Sequence, residues 1–86
     1  MLIFLPALEG YSLHGHPLKT LKLETENMCE VECYLEHNCV SYNLGSGDED
    51  GAYRCELSTS DHNAHPEALV RQKGVTYRPT EVRLLF

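Results

Sequence analysis

The spacing of apolar and polar residues predicts strands near the start of the chain. Tyr11 and Leu13 alternate with polar residues, and after a Gly-His-Pro turn Leu21 and Leu23 repeat at the same period of two. Alternation over a short run bounded by turn residues is typical of a half-buried strand. We therefore expect two strands joined as a hairpin.

The period then changes to that of a helix. Thr25 is expected to be the N-cap and Asn38 to end the helix in the left-handed conformation. The apolar stripe would follow i, i+1, i+4, i+5 spacing and be widened by two further residues. Its members are Met28, Cys29, Glu32, Cys33, Tyr34 and Leu35. A helix of roughly three turns lying across a sheet is predicted.

Three more strands are expected after the helix. They begin at Cys39, Ala52 and Val75, and Pro79 would end the last one. A short helical turn is expected over Pro66–Val70. The predicted fold class is therefore α+β, with one helix packed on an antiparallel sheet of about five strands.

The ends of the chain suggest its domain limits. The start, MLIFLPALEG, has the apolar character of a secretory signal but no basic residues before it. We expect residues 1–7 to be a lead or a truncated upstream segment, residues 8–79 to form the domain, and residues 80–86 to be a linker. No apolar run approaches the roughly 18 residues that a transmembrane helix needs, so no direct insertion into a membrane is expected.

Size and charge narrow the possible functions. The chain has 86 residues and a formal net charge of −6, with its lysines and arginines scattered rather than grouped. Nucleic acids and other polyanions would be repelled overall, so no nucleic-acid partner is expected. A domain this small gains little net stability from its core and is expected to need a further constraint.

The four cysteines could supply that constraint. Cys29, Cys33 and Cys39 form a C-x3-C-x5-C pattern, and Cys55 follows later. Structural zinc sites favour two pairs of closely spaced ligands, and only one such pair exists here. The spacing also differs from the C-x-x-C of thiol oxidoreductases. We expect no metal, no cofactor and no enzymatic activity.

Helix geometry limits the possible disulfide pairings. Residues four apart on a helix hold their Cβ atoms roughly 5 to 6 Å apart, whereas a disulfide needs about 3.8 Å, so Cys29 and Cys33 should not bond. Two pairings remain. The favoured one joins Cys33 to Cys39 and Cys29 to Cys55; the alternative is crossed. Either implies an oxidising compartment.

The segments LEGYSLHG, ENMCEVECYLEHNCVSYNLG and YRCELS resemble the PAN/apple domain family over roughly Leu8–Pro79. The resemblance implies one helix against a curved antiparallel sheet and the disulfides Cys29–Cys55 and Cys33–Cys39. The apple subclass has a third disulfide joining its ends, which this chain lacks, so the simpler four-cysteine PAN form is indicated. Pairing of the first and last strands is then expected to hold the ends together.

The resemblance also implies a function. PAN domains are extracellular recognition modules for proteins or carbohydrates, placed beside other modules in secreted or cell-surface proteins. Loops carry binding residues more often than cores do. The candidate ligand contacts are His14, His16, Asp48, Glu49 and Asp50.

Other interpretations of the loops are weaker. The segment GSGDEDG contains only fragments of a calcium-binding loop and is better interpreted as a solvated hairpin loop. His62 and His65 are expected to be solvated. No N-glycan is expected, because the chain has no N-x-[ST] sequon. The alternative functions are a small protein that binds metal through its four cysteine thiolates, and a free-standing secreted inhibitor or toxin.

Overall fold

The computed structural model describes residues 2–46 and 51–82. The strands within these ranges are β1 Leu2–Phe4, β2 Leu8–Leu13, β3 Pro17–Leu23, β4 Ser41–Ser46, β5 Tyr53–Ser58 and β6 Leu69–Val82. The helix α1 covers Asn27–Leu35, and a 3-10 turn covers Pro66–Ala68.

The strands form one curled antiparallel sheet in the order β1-β6-β4-β5-β3, with β2 also paired to β6. Strand β6 organises this sheet, since β1, β2 and β4 all pair with it along its 14 residues. The predicted fold class is confirmed: one helix lies on a curled antiparallel sheet. The short strand β1 adds a sixth strand to the five that were expected.

The predicted hairpin between the first two of those strands is wrong. Strand β2 pairs with β6, where Leu13 is opposite Leu69, and β3 pairs with β5, where Leu21 is opposite Cys55. The connecting turn is held by more distant segments, because the His14 N–H donates to the Ala68 carbonyl at 2.9 Å. Long-range pairing therefore separates two strands that are adjacent in sequence.

The helix is shorter than predicted at both ends. Glu26 is the N-cap and makes no side-chain capping bond, so Thr25 does not have the predicted role. The helix ends at Leu35, and Glu36 is already extended. Asn38 does not adopt the left-handed conformation, because among the described residues only glycines have positive φ.

Two other boundaries also differ from the prediction. Strand β4 starts at Ser41 rather than at Cys39. Strand β6 starts at Leu69 and continues through Pro79. Pro79 has no N–H to donate to the sheet, but its carbonyl accepts a hydrogen bond from the Leu5 N–H at 3.0 Å. The helical turn predicted over Pro66–Val70 ends at Ala68, where the chain becomes extended.

The core is built around the cysteines. Its buried members are Cys29, Cys33, Cys39, Tyr42, Cys55 and Leu57. Disulfides join Cys29 to Cys55 and Cys33 to Cys39, with Cα–Cα distances of 5.6 and 5.3 Å. This is the favoured pairing rather than the crossed one, and it attaches α1 covalently to β5 and to the chain just past its own C-terminus.

The predicted apolar stripe of the helix is only partly buried. Cys29 and Cys33 are the residues of α1 that are fully enclosed, while Tyr34 and Leu35 are 63% and 70% exposed. The prediction that these two residues widen the buried stripe is therefore wrong. No helix in the described ranges is long and apolar enough to cross a membrane.

Candidate functional site

The two faces of the sheet differ in chemistry. Along β5, Cys55 and Leu57 are buried in the core beneath α1, and alternation directs Arg54 and Glu56 to the opposite face. Asn43 lies opposite Glu56 in the β4–β5 register and therefore belongs to the same polar face. The helix covers one face of the sheet and leaves the other available for a ligand.

A groove runs across this polar face. One cavity of about 310 Å³ continues into a second of about 280 Å³ through Arg54, Glu56 and Gln72, which line both. We call the combined feature the polar groove. Its side chains with hydrogen-bonding capacity include His14, His16, Asn43, Arg54, Glu56, Ser58, Gln72 and Lys73.

The turn between β2 and β3 forms one end of the polar groove. The Thr59 N–H donates to the His16 carbonyl at 3.1 Å, and His14 is held by the bond to Ala68 described above. Backbone bonds thus fix both predicted histidines. The His14 Nε2 lies 3.2 Å from the Gln72 Oε1, which joins the turn to β6 across the groove.

His16 does not stand alone. Its ring stacks on that of His65 at a centroid distance of 4.0 Å, and the His65 Nδ1 lies 2.7 Å from the Ser60 hydroxyl. His62 lies against Tyr77, with its Nδ1 3.0 Å from the tyrosine hydroxyl. His62 and His65 are half-buried, so the expectation that they are merely solvated is wrong. The loop that contains them therefore contacts the groove residue His16 through His65.

Asn43 positions the wall of the groove. It is 3% exposed; its side-chain Oδ1 accepts from the Leu13 N–H at 2.9 Å and its Nδ2 donates to the Leu13 carbonyl at 2.8 Å. The amide of the side chain thus makes the two hydrogen bonds to Leu13 that the backbone of a neighbouring strand would otherwise make. Sequence reasoning did not single out this residue, although a polar amide inside the apolar segment CVSYN is a signal that something must satisfy it.

An arch in β6 forms the other wall. Between the paired positions Glu9 and Tyr11, β2 has one residue, Gly10, whereas β6 has residues 72–75 between the partners of those positions. Gly10 and Gly74 have φ of +83° and +86°, which side-chain-bearing residues rarely adopt. The extra residues lift Gln72 and Lys73 away from β2 and toward the groove.

The charges in the groove are mixed. Arg54 Nη2 lies 3.3 Å from Glu56 Oε2, and the two side chains are 62% and 37% exposed. An exposed pair of this kind contributes little to stability, so both groups can turn to a ligand at small cost. The groove therefore offers donors and acceptors side by side without a dominant charge.

Three of the five predicted ligand contacts cannot be placed relative to the groove. Asp48, Glu49 and Asp50 lie outside the described residues, so only His14 and His16 of the five candidates are placed at the groove. Within residues 2–46 and 51–82, no three His, Cys, Asp or Glu side chains form a group that could hold a metal ion. All four cysteines are in disulfides, which removes the thiolates that the metal-binding alternative required.

Comparison with known families agrees with this architecture. Residues 7–80 match the PAN domain. The chain belongs to the PAN domain family. PAN domains are generally protein- or carbohydrate-binding modules of extracellular proteins. No curated protein and no solved structure matches the chain. In this PAN domain, β1 pairs with residues 80–82 and so extends the sheet past both limits of the family match.

Proposed function

We propose that this PAN domain is a non-catalytic extracellular recognition module and that its polar groove binds a carbohydrate. The observation that carries the proposal is the groove itself, which presents Arg54, Glu56, Gln72 and His14 together on the face away from the helix. Planar amide, carboxylate and guanidinium groups are well suited to pairs of sugar hydroxyls, because each can exchange several hydrogen bonds.

The shape of the groove supports a chain-like ligand. Two cavities joined through shared residues form an open channel rather than an enclosed pocket. A small apolar molecule would instead favour a deeper and mainly hydrophobic site. The two disulfides fit an oxidising, extracellular compartment.

An array of neutral and acidic oligosaccharides, probed with the disulfide-bonded protein, tests the proposal. The oligosaccharide bound most strongly is then titrated in solution by calorimetry. We expect Arg54→Ala and Gln72→Ala each to weaken binding by about tenfold or more, since each removes groove hydrogen bonds worth about 1.5 kcal/mol.

Lys19→Ala is the matched control for Arg54→Ala. It removes one exposed positive charge from the neighbouring strand β3 outside the groove and should leave affinity unchanged. Equal losses in both variants would indicate an effect of net charge and contradict the groove. Absence of binding to any oligosaccharide would contradict the carbohydrate assignment.

A further inference from the structure

The outward face of α1 is apolar. Four of its side chains are large, hydrophobic and exposed: Met28 at 40%, Val31 at 41%, Tyr34 at 63% and Leu35 at 70%. We call these four residues the helix stripe. They account for four of the six large hydrophobic side chains that are exposed in the described ranges.

Helical geometry makes the helix stripe continuous. Met28, Val31 and Leu35 follow i, i+3, i+7 spacing, and Tyr34 lies three residues after Val31 and therefore next to it on the helix surface. At about 100° per residue, the four occupy roughly one third of the helix circumference, on the side opposite Cys29 and Cys33. A surface helix normally places its apolar stripe toward the core and its polar face outward. This helix has the reverse arrangement.

The fold does not need this apolar surface. The Cys29–Cys55 disulfide already holds α1 on the sheet, and the exposed part of these four side chains gains no burial energy. Single exposed apolar residues are common, but a contiguous patch rimmed by polar groups marks an interaction surface.

The rim of the helix stripe is acidic. Residues 25–36 contain four glutamates and no lysine or arginine. Glu30 pairs with Arg78, with Oε1 and Nη1 2.8 Å apart. Glu32 lies one helical turn from Met28 at the edge of the stripe, and Glu26 and Glu36 lie at the two ends of the helix. These carboxylates contribute to a formal net charge of −6.

The negative charge around the helix stripe favours some binding partners over others. A second copy of the chain would bring the same glutamates together, and an anionic lipid surface would also be repelled. A protein segment with apolar residues flanked by lysine or arginine would bury the stripe and neutralise its rim. We propose that the helix stripe is a docking site for a basic amphipathic helix of a partner protein.

Docking here is independent of the polar groove, because the helix and the groove occupy opposite faces of the sheet. The module could therefore hold a protein on one face and a ligand of the groove on the other. The proposal concerns a different surface from the carbohydrate assignment and does not depend on it.

Three synthetic peptides of about 15 residues test the proposal. The first is a leucine and lysine helix with its leucines on one face, the second has glutamate in place of lysine, and the third keeps the lysines but has serine in place of leucine. Binding is followed by chemical-shift changes in 15N-labelled protein at low and moderate salt. We expect only the first peptide to bind well, with shifts concentrated at Met28, Val31, Tyr34 and Leu35.

Variants of the protein separate the contribution of apolar burial from that of charge attraction. The double change Val31→Gln and Leu35→Gln keeps helix-forming residues while removing apolar surface, and it should weaken binding at least about tenfold. The double change Glu32→Gln and Glu36→Gln should weaken binding at low salt and reduce its salt dependence. Val70→Gln, which removes an exposed apolar side chain of β6 outside the helix stripe, is the control and should bind the peptide as the unaltered protein does.

Several results would overturn the proposal. Equal binding of the serine-containing peptide would show attraction by charge alone. Equal binding of the acidic peptide would show that the glutamates around the helix stripe do not select a basic partner. Shifts confined to the polar groove would place the site elsewhere. Concentration-dependent dimerisation that Leu35→Gln abolishes would identify a second copy as the occupant instead.

Discussion

The hydroxyl group of Tyr77 ties a loop to the sheet. The side chain is fully buried, and its hydroxyl accepts a hydrogen bond from the His62 N–H at 2.9 Å. Nearby, the Ser41 hydroxyl donates to the Ser60 carbonyl at 2.7 Å. Burial raises the pKa of Tyr77 above its ordinary value, and the bonds with His62 and Ser41 offset part of this increase.

This pKa direction predicts a loss of stability at alkaline pH. Folded Tyr77 retains its proton at a pH where the unfolded chain begins to lose its own, at about pH 10. The contribution to the free energy of unfolding is complete below that pH and falls as the pH rises through the folded pKa. Urea unfolding measured between about pH 8 and pH 11 should show this decline.

Tyr77→Phe checks the origin of the decline. We expect about 1 kcal/mol lower stability at neutral pH, because the His62 N–H loses its acceptor, and a shallower decrease above about pH 10. Some decrease should persist, since burial also raises the pKa of Tyr42. An unchanged slope in the variant would show that Tyr77 does not contribute.

The residues of the site differ in how far sequence predicts them. His14 and His16 could be selected because a Gly-containing turn exposes its side chains. Arg54 and Glu56 alternate with the buried Cys55 and could have been assigned to the polar face by the same pattern. Asn43 could not be assigned a role, since its partner Leu13 is 30 residues away in the chain and becomes a neighbour only through the sheet.

Among the elements, α1 depends most on covalent attachment. It has no capping side chain, and its fully buried residues are both half-cystines. The separation of 26 residues between Cys29 and Cys55 restricts the unfolded chain more than the separation of 6 between Cys33 and Cys39. Loop-closure entropy gives roughly 3.5 and 2.2 kcal/mol for the two bonds.

Removing each bond by paired alanine substitutions should reproduce that order. Cys29→Ala with Cys55→Ala is expected to cost more than 3 kcal/mol, because a cavity adds to the lost constraint. Cys33→Ala with Cys39→Ala should cost less and mainly loosen the end of α1. Urea unfolding and amide hydrogen exchange measure the two effects; equal costs would contradict the loop-length argument.

The elements themselves were predictable to different degrees. Local spacing predicts the helix, excludes a Cys29–Cys33 bond and favours the observed disulfide pairing over the crossed one, since one helical turn separates Cys29 from Cys33 and the chain reverses before Cys39. The pairing of β2 did not follow, because its partner β6 lies more than 50 residues later. Adjacent strands commonly form hairpins, but here hydrogen bonds to Ala68 and Thr59 separate them.

At the scale of the whole molecule, the first and last strands hold the sheet together. Leu2, Ile3 and Phe4 pair with residues 80–82 of β6. Phe4 packs edge-on against Tyr42 with ring centroids 5.9 Å apart, and the Arg78 guanidinium lies 5.4 Å from the centre of the Phe4 ring. The core near α1 therefore depends on a residue close to the start of the chain.

Phe4→Ala should consequently destabilise the whole domain. We expect a loss of about 2 kcal/mol, less than for a fully buried phenylalanine because Phe4 is half-buried. Thermal unfolding provides the measurement. Leu8→Ala, which truncates a side chain that is 38% exposed, is the control and should have a smaller effect. A larger loss in the control would place the dependence in β2 instead.

The antiparallel contact between Leu2 and Val82 also determines how the domain responds to tension. A force applied between these two residues acts across the strands, so the hydrogen bonds between β1 and β6 break one after another, beginning at Leu2 and Val82. Further extension would stop at the Cys29–Cys55 bond, which keeps the 25 intervening residues out of the stretched length. The domain should thus open at low force and lengthen only by the segments outside that covalent loop.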